Sequence, residues 1–180
     1  SPRDVGPAAR AFPDITFLVY HSGYEPDPAC EEGPYDDLSP TRGVDRLVAS
    51  LRAAGLGAGA NVYAELGSTW FLMLRKPREA AHVLGKLLLA VGPERLLWGT
   101  DCVWYGSPQP LVDAFRAFTI PEWMQERYGY PALTATVKSR MLSANAAAAY
   151  GVDTAAAATW IGDRAAWIEE ARPQLLRVLA

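Results

Sequence analysis

Cysteine is scarce in this 180-residue chain: Cys30 falls in an acidic loop and Cys102 directly after Asp101. Two isolated thiols make neither a disulfide framework nor a Cys-x-x-Cys metal or redox motif. Charge of one sign is also lacking. Seventeen basic against twenty acidic residues give a net charge of −3, with no Lys/Arg cluster or basic helix face, which argues against nucleic acid and anionic membrane as partners. No apolar run approaches the roughly 20 residues of a membrane span, and no basic flank precedes an apolar core near Ser1. The cytoplasm is the default expectation for compartment. Gly-x-Ser-x-Gly and Walker-type loops are missing, which removes the main support for serine hydrolase and nucleotide hydrolase readings. Gly55-Leu56-Gly57-Ala58-Gly59 precedes a predicted strand, whereas a dinucleotide loop must follow one and open a helix.

What is present is apolar material in an ordered alternation. Half of the residues are hydrophobic, enough for one buried core. Ile15 to Tyr20 reads as a buried strand, followed by His21-Ser22-Gly23. From Ser22 to Arg42, four prolines and six carboxylates without helical period predict a long loop, either a functional lid, solvated over its acid-rich part, or a disordered segment. Gly43 to Ala54 places Val44, Leu47, Val48 and Leu51 on one helical face. Asn61 to Leu66 reads as a second strand ending in a Gly67-Ser68-Thr69 turn, and Pro77 opens a helix that runs to Gly92. Arg95 to Thr100 is the third predicted strand, with a turn-rich segment from Asp101 to Pro110. Helices follow near Gln109 to Phe118, Pro121 to Tyr128 and Leu133 to Tyr150. A last amphipathic segment, Thr154 to Leu179, carries Trp160, Ile161, Trp167 and Ile168 and is interrupted by Pro173.

Strand and helix alternating in this way imply parallel strands with right-handed crossovers, so all strand ends open on one side. That topology predicts His21, the Glu65-to-Ser68 turn and Asp101 on one rim. His21 suits metal binding or proton exchange with water, or else caps its strand end. Asp101 suits metal ligation or proton acceptance, or else a turn at the strand end. Glu65 is divided between a buried ion pair and a site role. Ser68 is a candidate substrate contact, and Tyr24, Trp70, Trp104 and Tyr105 are aromatics predicted in loops at the strand ends. His82, inside the Pro77 helix, reads as structural or exposed. The acid-rich segment Glu25 to Asp37 lacks the spaced ligands and central glycine of an EF-hand. Three parallel strands leave two unpaired edges, so the fold class expected is a partial α/β barrel.

Three motifs in order carry a family resemblance: Phe12-Pro13-Asp14 leading to His21-Ser22-Gly23, then Trp98-Gly99-Thr100-Asp101, then Met141-Leu142-Ser143-Ala144-Asn145-Ala146-Ala147 before Tyr150-Gly151. The chain resembles the carboxyl-terminal half of an amidohydrolase-superfamily enzyme, in the branch that includes aminocarboxymuconate-semialdehyde decarboxylase. The resemblance implies the last three β/α units of a (β/α)8 TIM barrel over residues 1–152, with a helical extension at 153–180. It implies a divalent metal, zinc in the intact parent, with Asp101 as metal ligand and proton carrier. His21 becomes a second ligand or the group that orients and polarises the attacking water. Tyr24, Ser68, Trp70 and Trp104 remain candidate substrate contacts on their placement in the strand-end loops, with ordinary packing for the aromatics and turn formation for Ser68 as the alternatives. The implied function is hydrolysis of a C–N or C–O bond in a small molecule. The alternatives are a nonoxidative decarboxylase on the same fold and a noncatalytic half-barrel that assembles with a second chain or with copies of itself.

The resemblance also implies ligands that are not here, because its His-x-His pair on the first strand and a histidine near the fifth have no counterpart. The missing amino-terminal half of the barrel is therefore an expected partner, and the metal is expected to be held weakly or not at all by this chain alone. Cys102-Val103-Trp104 also stands where the family more often has a bulky residue and proline, so substrate preference does not transfer.

Overall fold

The structure is a computed structural model that describes residues 1–38, 40, 42–156, 169 and 173. The predicted amphipathic segment from Thr154 to Leu179 lies outside the described residues except at 154–156, 169 and 173. The chain divides into two units, Ser1–Ala146 and Ala147–Ala180. The first holds the sheet and the candidate site.

Three strands, β1 (Phe17–Val19), β2 (Val62–Glu65) and β3 (Leu96–Leu97), form one parallel sheet in the order β1-β2-β3. Phe17 pairs with Val62, Val19 with Ala64 and Ala64 with Leu96, which aligns the carboxyl ends of all three. The sheet is open. Its third strand is shorter than the predicted Arg95–Thr100, because Arg95 sits in a tight 3-10 turn and the Trp98 N–H turns away to the Met141 carbonyl (3.1 Å).

Nine α-helices are described, beginning with α1 (Val5–Ala11) and α2 (Gly43–Ala53). No element was expected before Phe12, yet the chain is helical there as α1, anchored where the Gly6 N–H donates to Ser50 Oγ (2.9 Å) and that hydroxyl donates to the Arg3 carbonyl (2.6 Å). The predicted apolar face of α2 is buried at Val44, Leu47, Val48 and Leu51. After β2 the chain enters a helix at once, α3 (Gly67–Met73), where the sequence suggested only a turn. Trp70 is thereby carried inward. Its indole N–H donates to the Leu111 carbonyl (3.0 Å), and the edges of Phe115 and Phe118 meet its ring.

The long helix α4 (Pro77–Val91) packs on α2, β2 and β3 and is buried along nearly its whole length, charged residues included. Beyond β3 come α5 (Cys102–Tyr105), α6 (Gln109–Ala117) and α7 (Glu122–Tyr128). The single helix predicted from Leu133 is divided into α8 (Ala135–Ser139), a π-helical turn (Arg140–Ala144) and α9 (Asn145–Tyr150). Asn145 explains why this segment sits against the sheet: its amide donates to the carbonyls of Pro93 and Leu96, both at 2.8 Å.

The described residues between Tyr24 and Arg42 contain neither helix nor strand, as expected, and most are solvent-accessible, but one of their acids is drawn into the interior. Glu32 is 6% exposed. Its carboxylate accepts from the Val44 N–H (3.1 Å) and pairs with Lys86 (2.9 Å), which also holds Asp45 (2.6 Å). Glu79, fully buried on α4, accepts from the Tyr24 hydroxyl (3.0 Å) and the Glu32 N–H (2.9 Å) and pairs with Lys76 (3.2 Å). Through Glu32 the loop is thus tied to both α2 and α4. Buried charge is tolerated when it is paired and hydrogen-bonded, and breaking one partner exposes the full desolvation cost of the other.

His82 is likewise core, with Nδ1 at 3.0 Å from the Tyr130 hydroxyl. Burial, with the charges of Lys86 and Arg78, lowers its pKa from 6.5 to about 4.

Two outcomes follow for stability. Lys86→Met should cost about 3–5 kcal/mol in urea unfolding, since it strands Glu32 in the interior. Burial holds the Glu32 carboxyl above its ordinary value, so protonation favours the fold and the deficit should shrink on acidification. For His82 the folded pKa is depressed, so its contribution is complete above pH 6.5 and is lost as pH falls toward 4, by up to roughly 3 kcal/mol. His82→Asn should flatten the stability–pH profile in that window, and an unchanged profile would refute the assignment.

Candidate active site

The aligned strand ends place four side chains together. β1 runs into Tyr20 and His21, β2 ends in Glu65, and the chain beyond β3 reaches Asp101. His21 Nε2 lies 3.5 Å from Asp101 Oδ2. The other ring nitrogen, Nδ1, accepts the Ser68 N–H (3.2 Å), so in the neutral imidazole the proton resides on Nε2 and faces Asp101.

Asp101 is well supplied with donors. Oδ2 accepts from the Ser68 N–H (3.1 Å) and Ser68 Oγ (2.7 Å), and Oδ1 accepts from the Tyr20 hydroxyl (3.2 Å). Ser68 Oγ also lies 2.9 Å from the Tyr105 hydroxyl, and Tyr105 stacks on Phe71 at 4.0 Å. Tyr20 lies against the His21 ring (3.8 Å between centroids), and its phenol is pushed above its ordinary pKa by desolvation and then by the Asp101 charge.

The turns beneath these groups are unusual. Among the described residues, the non-glycine residues with positive φ are His21 (54°), Ser22 (54°) and Asp101 (50°), all in this cluster. Left-handed backbone costs about 1–3 kcal/mol at such residues and persists only where surroundings over-determine it. The over-determination is visible. Ser22 Oγ donates to the Glu65 carbonyl (2.8 Å), Thr69 Oγ1 donates to the His21 carbonyl (2.9 Å), and the Glu65 carboxylate accepts from the His21 N–H (3.2 Å) and the Gly67 N–H (2.5 Å). Burial raises the Glu65 pKa, opposed by those two amides and by His21.

Of the site residues predicted from sequence, the structure gathers His21, Asp101 and Ser68. Trp104 is 80% exposed on α5, beside Tyr105. Tyr24 and Trp70 are buried elsewhere, Tyr24 on Glu79 and Trp70 on Leu111. Sequence reasoning missed Tyr20 as a partner of Asp101, and left Glu65 undecided. A tyrosine immediately before the strand-end histidine and a carboxylate closing an apolar strand were the available signals. A cavity of about 550 Å³ is lined by Trp98, Arg116, Lys138 and Leu142, and by none of Tyr20, His21, Glu65, Ser68 or Asp101.

Fold and rim together define a class: an α/β protein with an acid, an imidazole and hydroxyls converging at the carboxyl ends of parallel strands, where such folds place their chemistry. The chain belongs to the amidohydrolase family, whose match covers residues 1–152. No curated protein and no solved structure matched it.

Members of this family are typically metal-dependent, so the donor set matters. It does not fit a complete centre. Among the described residues no three His, Cys, Asp or Glu side chains are grouped to share an ion. His21 has one ring nitrogen engaged by Ser68 and the other bearing the proton, which leaves Asp101 as the ligand with lone pairs to offer.

Ser68→Ala should cost about 1 kcal/mol in urea unfolding, because the Asp101 carboxylate loses its shortest bond. A change below about 0.3 kcal/mol would show that the hydroxyl does not hold Asp101.

Proposed function

We propose that the chain forms the last three β/α units of a (β/α)8 barrel and carries the Asp101–His21 side of the active site of a metal-dependent hydrolase. Its substrate is a small molecule with a C–N or C–O bond to be cleaved. The observation that carries this reading is the His21 Nε2 to Asp101 Oδ2 approach, with the imidazole's other nitrogen already occupied.

That arrangement divides the work. His21 presents Nε2–H as a donor that orients and polarises water or a substrate oxygen, and Asp101 is the acceptor for a proton. Tyr20 and Ser68 hold the Asp101 carboxylate in place, and Trp104 offers an exposed aromatic face to substrate. Tyr24 and Trp70 are assigned to packing. The remaining metal ligands come from strands that complete the barrel, and the metal is zinc. The open sheet edge supports the completing strands, since among the described residues β1 pairs on one side only and Ile15 (51% exposed) and Leu18 (37%) flank or lie on it. The same open edge favours a second reading, a noncatalytic half-barrel that joins another chain.

Metal analysis, hydrolysis assays and detection of released carbon dioxide, on this chain and on a version extended with upstream coding sequence, separate the readings. The extended protein should bind zinc and hydrolyse substrate, and Asp101→Asn or His21→Asn should lower its rate by roughly 100-fold or more. Stoichiometric zinc with activity in this chain alone would overturn the shared-site reading. Carbon dioxide release would move the reaction to decarboxylation. An inactive, metal-free oligomer in both forms would leave the assembly module.

A further inference from the structure

We propose that Glu65 is a positioning residue: its carboxylate clasps the His21 and Gly67 amides and thereby fixes the tautomer and direction of the His21 imidazole toward Asp101. The inference deepens the proposed function, since it rests on His21 acting through its Nε2 proton.

Glu65 is the residue on which both strand-end turns close. One carboxylate oxygen holds the N–H of His21, the first left-handed residue after β1, and the other holds the N–H of Gly67, the first residue of α3. Its own carbonyl is bonded by Ser22, the second left-handed residue. The left-handed turn at His21 and Ser22 is therefore tied to β2 through one residue's side chain and backbone. Because Gly67 is fixed, the next amide, that of Ser68, points at both His21 Nδ1 and Asp101 Oδ2. A single carboxylate thus sets the donor that decides which imidazole nitrogen keeps the proton.

The surroundings are shaped to this carboxylate. A Cβ at Gly99 would collide with Glu65 Oε1, and a Cβ at Gly67 would collide with His21 Nδ1 and crowd Glu65 Oε2. Gly67 also has a positive φ of 28°. Two glycines from different strand ends leave room for one acid.

The chain contains only two histidines, so selective 15N-histidine labelling reads His21 with His82 as an internal reference. At mildly alkaline pH the parent chain should show His21 as one tautomer, protonated at Nε2. Glu65→Gln keeps the size but can accept at one position only. It should collapse the separation between the two His21 nitrogen signals toward averaging, and leave His82 unchanged. Exchange of the His21 and Gly67 amides should accelerate roughly tenfold or more beyond any change at the β2 amides. General destabilisation would accelerate all amides alike and leave the tautomer intact, and that result would overturn the proposal. Should Glu65→Gln fail to fold, Gly99→Ala displaces the same carboxylate and should reproduce the tautomer loss. An unchanged His21 spectrum in that variant likewise overturns the proposal. The tautomer result stands apart from catalysis: its confirmation in a protein that hydrolyses nothing sinks the hydrolase reading alone, and its failure in an active hydrolase sinks this inference alone.

Discussion

Parallel pairing of three short strands is the constraint on which the rest of the structure depends. The register that opposes Val19 to Ala64 and Ala64 to Leu96 puts three strand ends at one level, and only then can Ser22, Thr69 and Glu65 reach across to neighbouring backbone. Those cross-strand bonds hold the left-handed residues His21 and Ser22 in place, while Ser68 and Tyr20 hold the left-handed Asp101. The turns in turn aim the imidazole and the carboxylate at each other. Each level is conditional on the one below it, so a slip in the sheet would separate the pair without altering any of its residues.

A second set of forces acts behind the sheet. The loop after β1 docks through Tyr24 and Tyr35 at the hydrophobic core and through one buried acid of its own, Glu32. Glu32 bonds the first turn of α2 and Lys86 of α4, and Glu79 gathers Tyr24, Glu32 and Lys76. Such pairs add little net stability over apolar packing, but they are directional, and directionality is what fixes an irregular segment in one path. The consequence for the site is indirect. The loop that follows the strained His21-Ser22-Gly23 turn begins at Tyr24, and Tyr24 is anchored.

Much of the architecture was legible in residue order. Hydrophobic runs located all three strands and periodicity located α2 and α4, because those signals are local and the core simply buries them. Family membership was legible too, through motifs around His21, Asp101 and Asn145. The failures had physical causes. α1 was hidden by a proline, harmless in the first turn of a helix, and by Gly6, whose backbone packs on Ser50 forty-four residues away in sequence. α3 was hidden because Gly-Ser-Thr is a turn signal, overridden here by burial of Trp70 and Met73. The acidic loop read as solvated because nothing local reveals that Lys86 waits beneath it.

The sequence by itself determined the α/β alternation, the family and the identity of the imidazole and the carboxylate at the strand ends, since these follow from pattern and residue type. Only the tertiary structure decided which groups join them. Tyr20, Ser68 and Glu65 enter the site, while Tyr24 and Trp70 leave it for the core, although all five sit near strand ends in the chain. The reason is geometric. Position along a strand fixes the level of a residue, but the hydrogen-bond partner its side chain finds fixes the direction, and for Tyr20 and Ser68 that partner is Asp101, for Tyr24 it is Glu79 and for Trp70 the Leu111 carbonyl, all distant in sequence.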